Sequence, residues 1–380
     1  MDYKVISADT HLDLTWLPGD MFTNAAPERL RSKMPYVKET DAGKRWIVEE
    51  EDIARAGGFL AYVPGHSKHM DRMAEVGFYD EVDQGIYHPV VADLRIKDQG
   101  IDVVDAEVIY GILGIAGGGF SGPGFKDPEV TTAIYDIYNE WMAEFTKASP
   151  DRLVALACII SHDPQIAAQQ LRRAAEIGLR GAEINVSMMA KPMYHKDWDV
   201  LWATSHECRI PISFHTLGIP HRRPEPEEME EYYYVEDGVR ECLFQLSGAE
   251  FLLSAVFSGA CQRYPDFKFV LGECGIGWIP YIIERMDAEY DDRYHPIGLD
   301  MKPTEYWRRQ GHSTFQNEHV SMDEVERIGV DSIMWGSDYP HRDGVFPDSL
   351  QAIEKGMGHL PSEIRQKIVC DNAARLYKFS

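Results

Sequence analysis

The chain has 380 residues, 44% of them hydrophobic and 26% charged, which suits one large α/β barrel with insertions or two medium domains. With 62 acidic against 38 basic residues the formal charge is -24, a field that repels nucleic-acid phosphates and anionic membranes, so neither is an expected partner. The six cysteines are scattered without a C-x-x-C pair, no run approaches the roughly 18 to 20 apolar residues of a membrane helix, and no secretory signal opens the chain; a cytoplasmic protein with buried thiols is expected.

In chain order, KVISADTH (residues 4–11) enters a strand pattern at once. Residues 16–100, rich in Gly, Pro and charge, interrupt the alternation and are expected to form an insertion over a barrel mouth. Short apolar runs then recur: DAEVIYG (105–111), RLVALACII (152–160), LRGAEIN (179–185), IPISFHT (210–216), FKFVLGE (267–273), the weaker GHSTFQ (311–316) and SIMWGSD (332–338). Several read as buried on both faces, as a parallel sheet requires. Between them lie helical patterns at 132–149, 163–178 and 197–209, the second opening on a capping Asp163 and closing on Gly178.

Eight such strands alternating with helices predict a single (β/α)8 barrel over residues 1–380, with a second long departure at 217–238, after strand five, acting as lid or oligomer contact. No G-x-G-x-x-G follows the first strand, which speaks against dinucleotide binding, and Gly117, Gly118 and Gly119 read as a flexible loop. With 19 Tyr and 8 Trp, many exposed aromatics are implied, and the two long insertions offer surface for self-association.

Four predicted strands end in residues that bind metals or move protons: Asp9 and His11 on the first, His215 on the fifth, Glu273 on the sixth and Asp338 on the eighth. A barrel gathers the C-terminal ends of all its strands at one mouth. Asp9 and His11, two apart, share one strand face and make a clamp for a cation. Each residue alone has an ordinary reading, Asp9 with His11 as a turn pair and Asp338 before Tyr-Pro as a turn initiator; their coincidence at one end of one barrel carries the expectation. Asn185 and His341 are secondary candidates for substrate contact. His162 reads as a loop residue, while His66, His69, Arg222 and Arg223 stand on loops that can reach the mouth and hold a carboxylate.

Asp-x-His on strand one, His on strand five and Gly-Ser-Asp-Tyr-Pro-His on strand eight resemble the amidohydrolase superfamily, in particular the branch related to aminocarboxymuconate semialdehyde decarboxylase. The resemblance spans nearly the whole chain except residues 16–95, and it implies a homo-oligomer, dimer or tetramer. It implies that Asp9, His11 and His215 hold one divalent metal, with Asp338 completing the shell or taking a proton from metal-bound water. Zinc is the first expectation, and the acidic first ligand makes manganese or magnesium acceptable too. The departure is Glu273, where decarboxylating relatives show a His; a glutamate copies an imidazolium at neutral pH only if burial raises its pKa by several units.

Two reactions follow from the resemblance. Metal binding can bring the pKa of water from about 15.7 to about 7, roughly 12 kcal/mol of hydroxide stabilisation, so hydrolysis by activated water, with Asp338 and Glu273 as the catalytic acids or bases, is our expectation. The alternative is nonoxidative decarboxylation of an aromatic or muconate-type acid. A barrel kept only as a binding protein is the reading of another class, and it predicts broken metal-type residues, which here are intact.

Overall fold

The computed structural model describes residues 4–48, 50–57, 64–65, 67–112, 127–185, 189–216, 225 and 229–379. Its strands in chain order are β1 (Ile6–His11), β2 (Tyr36–Thr40), β3 (Gly43–Val48), β4 (Glu51–Arg55), β5 (Ala106–Tyr110), β6 (Leu153–Ile159), β7 (Gly181–Ile184), β8 (Ile212–His215), β9 (Phe269–Gly272), β10 (Gly311–Phe315) and β11 (Ile333–Trp335). Eight of them form one parallel sheet in the order β1-β5-β6-β7-β8-β9-β10-β11. The sheet curls until β1 meets the chain that follows β11, where the Asp338 N–H donates to the Asp9 carbonyl (2.9 Å) and the His11 N–H to the Tyr339 carbonyl (2.6 Å).

All eight strands predicted from the sequence are present, including the weak GHSTFQ run, and the fold is a (β/α)8 barrel. Every residue of β6 is buried, as helices outside and side chains inside the barrel demand. The helix Pro164–Glu176 starts where the Asp163 carboxylate accepts the N–H groups of Gln165 and Ile166.

Between β1 and β5, the strands β2, β3 and β4 make a separate antiparallel sheet, and the short helix Lys68–Glu75 follows. Met73 and Phe78 join Trp16, Tyr339 and Phe346 in a small apolar cluster, so this stretch packs on the loop beyond β11. The helix Ala92–Asp102 then leads into β5 and buries Arg95, Asp98, Gln99 and Asp102. Arg95 is fully buried: its Nε and Nη2 donate to the two oxygens of Glu107 (2.6 and 2.9 Å), its Nη1 to the His11 carbonyl (2.9 Å) and its Nη2 also to Thr10 Oγ1 (3.0 Å). Gln99 adds a further donor to Glu107. A guanidinium whose fork is matched in this way fixes the last residues of β1, the strand that carries Asp9 and His11.

Of the expected loop features, Gly117, Gly118, Gly119, His66, Arg222 and Arg223 lie outside the described residues. Part of the departure after β8 forms the helix Met229–Leu243, which shows Tyr232, Tyr233, Tyr234 and Val235 to solvent. Among the described residues, no helix is long and apolar enough to cross a membrane.

Candidate metal centre

The ends of β1, β8, β9 and β11 bring Asp9, His11, His215, Glu273 and Asp338 to one mouth. Asp9, His11, Glu273 and Asp338 are buried, and His215 is nearly so. Two glycines make the approach possible. A Cβ on Gly336 would sit 2.5 Å from the Asp9 Cβ, and one on Gly272 would sit 3.0 Å from His215 Cδ2. Glu273 and Asp338 adopt left-handed backbone, φ +51° and +55°, at a cost on the order of 1–3 kcal/mol each, which the surrounding structure must enforce.

The distances describe a ring of donors. His11 Nε2 lies 3.4 Å from Asp9 Oδ1 and 3.1 Å from Asp338 Oδ1. His215 Nε2 lies 3.7 Å from Asp9 Oδ1 and 3.6 Å from Glu273 Oε2. The two imidazoles meet edge to face with centroids 4.8 Å apart. Asp9 divides its labour: Oδ2 accepts from the Thr314 hydroxyl (2.6 Å) and the Glu273 N–H (2.9 Å), which leaves Oδ1 turned to the histidines. His341 stacks on His11 at 3.9 Å between centroids, with Nδ1 3.0 Å from Asp338 Oδ1 and Nε2 3.0 Å from Asp13 Oδ2.

Protonation follows from this crowding. Burial opposes the charged form of Asp9, yet His11 and His215 hold it well below the usual carboxylate range. Burial likewise works against Asp338, but His341 and His11 lower it to about 2. Burial and His341 oppose a proton on His11, while Asp338 and Asp9 raise it to about 9. Glu273 goes the other way: burial, then Asp338 and Asp343, push its carboxyl well above the usual range.

The donor set fits a divalent cation. Asp9 Oδ1, His11 Nε2, His215 Nε2 and both Asp338 oxygens are buried without an aligned hydrogen-bond partner. Native proteins rarely leave such atoms unpaired, and five converging at a strand-end mouth ask for something to complete them. Donor atoms of Asp9, His11 and His215 all lie within 4.8 Å of one another, as do those of His11, Asp338 and His341. Opposed bonds of roughly 2.0–2.2 Å to one ion span about that distance.

Of the residues singled out in the sequence, Asp9, His11, His215, Glu273, Asp338 and His341 are gathered together. Asn185, also buried, follows β7 at the same end of the barrel. Sequence reasoning missed Asp13, Thr314 and Glu183. Asp13 extends the two-residue spacing of Asp9 and His11 and was legible on that ground. Thr314 sits inside the weakest predicted strand. Glu183, buried on β7, accepts the Gly111 N–H (2.6 Å) and the Cys158 thiol (3.2 Å).

Comparison with known proteins places these features. The amidohydrolase family model matches residues 66–379, so residues 66–95 join the resemblance while Asp9 and His11 precede the matched span. A gamma-resorcylate decarboxylase from Polaromonas sp. strain JS666 is 26% identical over 261 residues, 64% of this chain and 75% of that protein. An amidohydrolase from Mycobacterium avium subsp. paratuberculosis shares the fold with a TM-score of 0.73 at 18% identity, covering 99% of this chain and 100% of that one. A dihydroxybenzoic acid decarboxylase from Polaromonas sp. JS666, with bound manganese and the inhibitor 2-nitroresorcinol, gives a TM-score of 0.63 at 18% identity over 99% and 97% of the two chains.

These relatives overturn the expectation of hydrolysis, which rested on the stabilisation of metal-bound hydroxide and, beside it, on Glu273 standing where decarboxylases carry a His. Burial and the acids around it push the Glu273 carboxyl up, the direction in which a glutamate can stand in for an imidazolium, so the missing imidazole does not by itself point away from decarboxylation.

Proposed function

The chain belongs to the amidohydrolase family, and on that premise we propose that it is a metal-dependent nonoxidative decarboxylase of a small hydroxylated aromatic acid. The observation that carries the reading is the set of unpartnered buried donors at the barrel mouth, found in a chain whose curated relative removes a carboxyl group from gamma-resorcylate, as its name states. Asp9, His11, His215 and Asp338 would hold one divalent ion; we put manganese first, because two carboxylates beside two imidazoles suit it and a structural neighbour binds it. When bound, the ion supplies a positive centre for the carboxylate and hydroxyl oxygens of the substrate, which the surrounding acids would otherwise repel.

Asp338 is ionised, so it begins as a base. It takes the proton of the substrate hydroxyl and returns it to the ring carbon that bears the carboxylate. The bond from that carbon to the carboxyl group then breaks, its electron pair restores the aromatic ring, and CO2 leaves. His341, held on its far side by Asp13, keeps Asp338 oriented for both transfers. Glu273 donates its proton as a hydrogen bond to a substrate oxygen. Self-association belongs to the same proposal, supported by the exposed Tyr232, Tyr233, Tyr234 and Val235, and light scattering at micromolar protein reads it.

The test is CO2 release from gamma-resorcylate and other ortho-hydroxybenzoates by chelated protein reloaded with manganese or zinc. Release that requires the metal supports the reading, and zinc outperforming manganese would change only the ion. No release from any of these acids with either metal would refute it.

A further inference from the structure

The helix Lys68–Glu75 is fastened to the loop beyond β11 by polar and apolar contacts. Arg72 donates from Nε to Asp348 Oδ2 (3.1 Å) and from Nη2 to Oδ1 (2.9 Å), and Met73 is buried against Phe78, Tyr339 and Phe346. Ser67 caps the first turn through the Met70 N–H. His69 lies three residues before Arg72, on the same side of so short a helix. Its ring accordingly comes to rest against the backbone of His341, the residue that stacks on His11 and flanks Asp338. The His69 Nε2 is buried there and has no hydrogen-bond partner.

A ring nitrogen withdrawn from water without a partner is costly, and in native structures such an atom is completed by water or a ligand. Burial lowers the affinity of His69 for a proton despite Asp343, Asp338 and Asp348 nearby, which leaves a neutral imidazole with one donor and one acceptor. The barrel strands bring donors suited to a metal; His69 arrives from a different element, beside them, its ring hydrogen-bonded to the His341 backbone and its Nε2 without a partner.

We propose that His69 is a substrate-contacting residue, its free ring nitrogen hydrogen-bonding an oxygen of the aromatic acid from the helix between β1 and β5. This rests on the decarboxylase reading for the identity of the ligand. The contact adds specificity for acids that carry an oxygen substituent beside the carboxylate, because an analogue lacking that oxygen leaves Nε2 unpaired.

The experiment compares manganese-loaded wild type with His69→Ala and His69→Gln in two measurements, turnover of ortho-hydroxybenzoates and calorimetric binding of 2-nitroresorcinol. His69→Ala is expected to raise KM and weaken binding about tenfold, with a smaller effect on kcat; His69→Gln, which restores a donor, recovers part of the loss. Metal content and melting temperature stay at the wild-type values. Turnover and binding that do not respond to His69→Ala would overturn the proposal, as would equal losses in both variants accompanied by a lower melting temperature. Binding that depends on His69 without any CO2 release would retain the contact and refute the decarboxylase reading. Absence of both binding and turnover in the wild type would refute both.

Discussion

Two groups of buried charge meet the end of β1, and they are built on opposite principles. Arg95 and Glu107 face each other with matched forks, Gln99 and backbone carbonyls taking the remaining positions. Asp9, His11, His215 and Asp338 are as deeply placed, yet five of their polar atoms have no aligned partner. In the first group the charged atoms of Arg95 and Glu107 are answered within the protein, the neutral Gln99 Oε1 alone lacking a partner, and the group fixes the strand. The second is held open by that strand, by two glycines and by two left-handed residues. Burial of charge alone therefore does not mark a site; burial of charge that the fold leaves unanswered does.

The contrast can be broken from either side. The largest effect is expected from Asp338→Asn in the open group: CO2 release falls about a thousandfold, near 4 kcal/mol of barrier, while the melting temperature falls only modestly, as His11 and His341 lose the carboxylate that they hold ionised. In the closed group the losses reverse. Arg95→Ala strands Glu107 and lowers stability by about 3 kcal/mol in urea unfolding. Replacing both partners, Arg95→Met with Glu107→Leu, sharpens the point by recovering most of that loss, since no charge is then left buried without its partner.

A smaller effect tests a third buried acid, Asp102, which caps the helix Ser349–Met357 through the N–H and hydroxyl of Ser349. Burial raises its carboxyl to about 7 from 3.8, even against those hydrogen bonds. Between these values the folded chain keeps a proton that the unfolded chain has lost. Stability from this group therefore falls as pH rises through the window, by up to about 1.4 kcal/mol per unit, and levels off above it. Urea midpoints measured from pH 5 to pH 8 should flatten in Asp102→Asn; an unchanged slope would contradict the assignment.

The barrel was legible because parallel strands covered on both faces read as apolar runs, and because side chains two apart, such as Asp9 and His11, share a face. The helix Ala92–Asp102 was not. Its buried positions are Arg95, Asp98, Gln99 and Asp102, so the helical period is written in polar residues and hydrophobic patterning passes over it. The cluster's metal-type residues could be picked from strand ends. The stacking of His341 on His11, the Thr314 bond that aims Asp9 and the upward push on the Glu273 carboxyl depend on distances across the mouth between residues far apart in the chain. The energetics of metal-bound hydroxide, with a glutamate in place of the expected His, are what led the chemistry towards hydrolysis.

The central claim is that the open group is completed by a divalent ion, and a manganese titration of chelated protein followed by thermal unfolding tests it most directly. Saturable binding of one ion per chain should stabilise the wild type by about 2.7 kcal/mol at a hundredfold excess over Kd. The same stabilisation should vanish in His11→Ala with His215→Ala and persist in His341→Gln. A melting temperature indifferent to manganese and zinc in the wild type, or equal stabilisation in the double variant, would contradict the account.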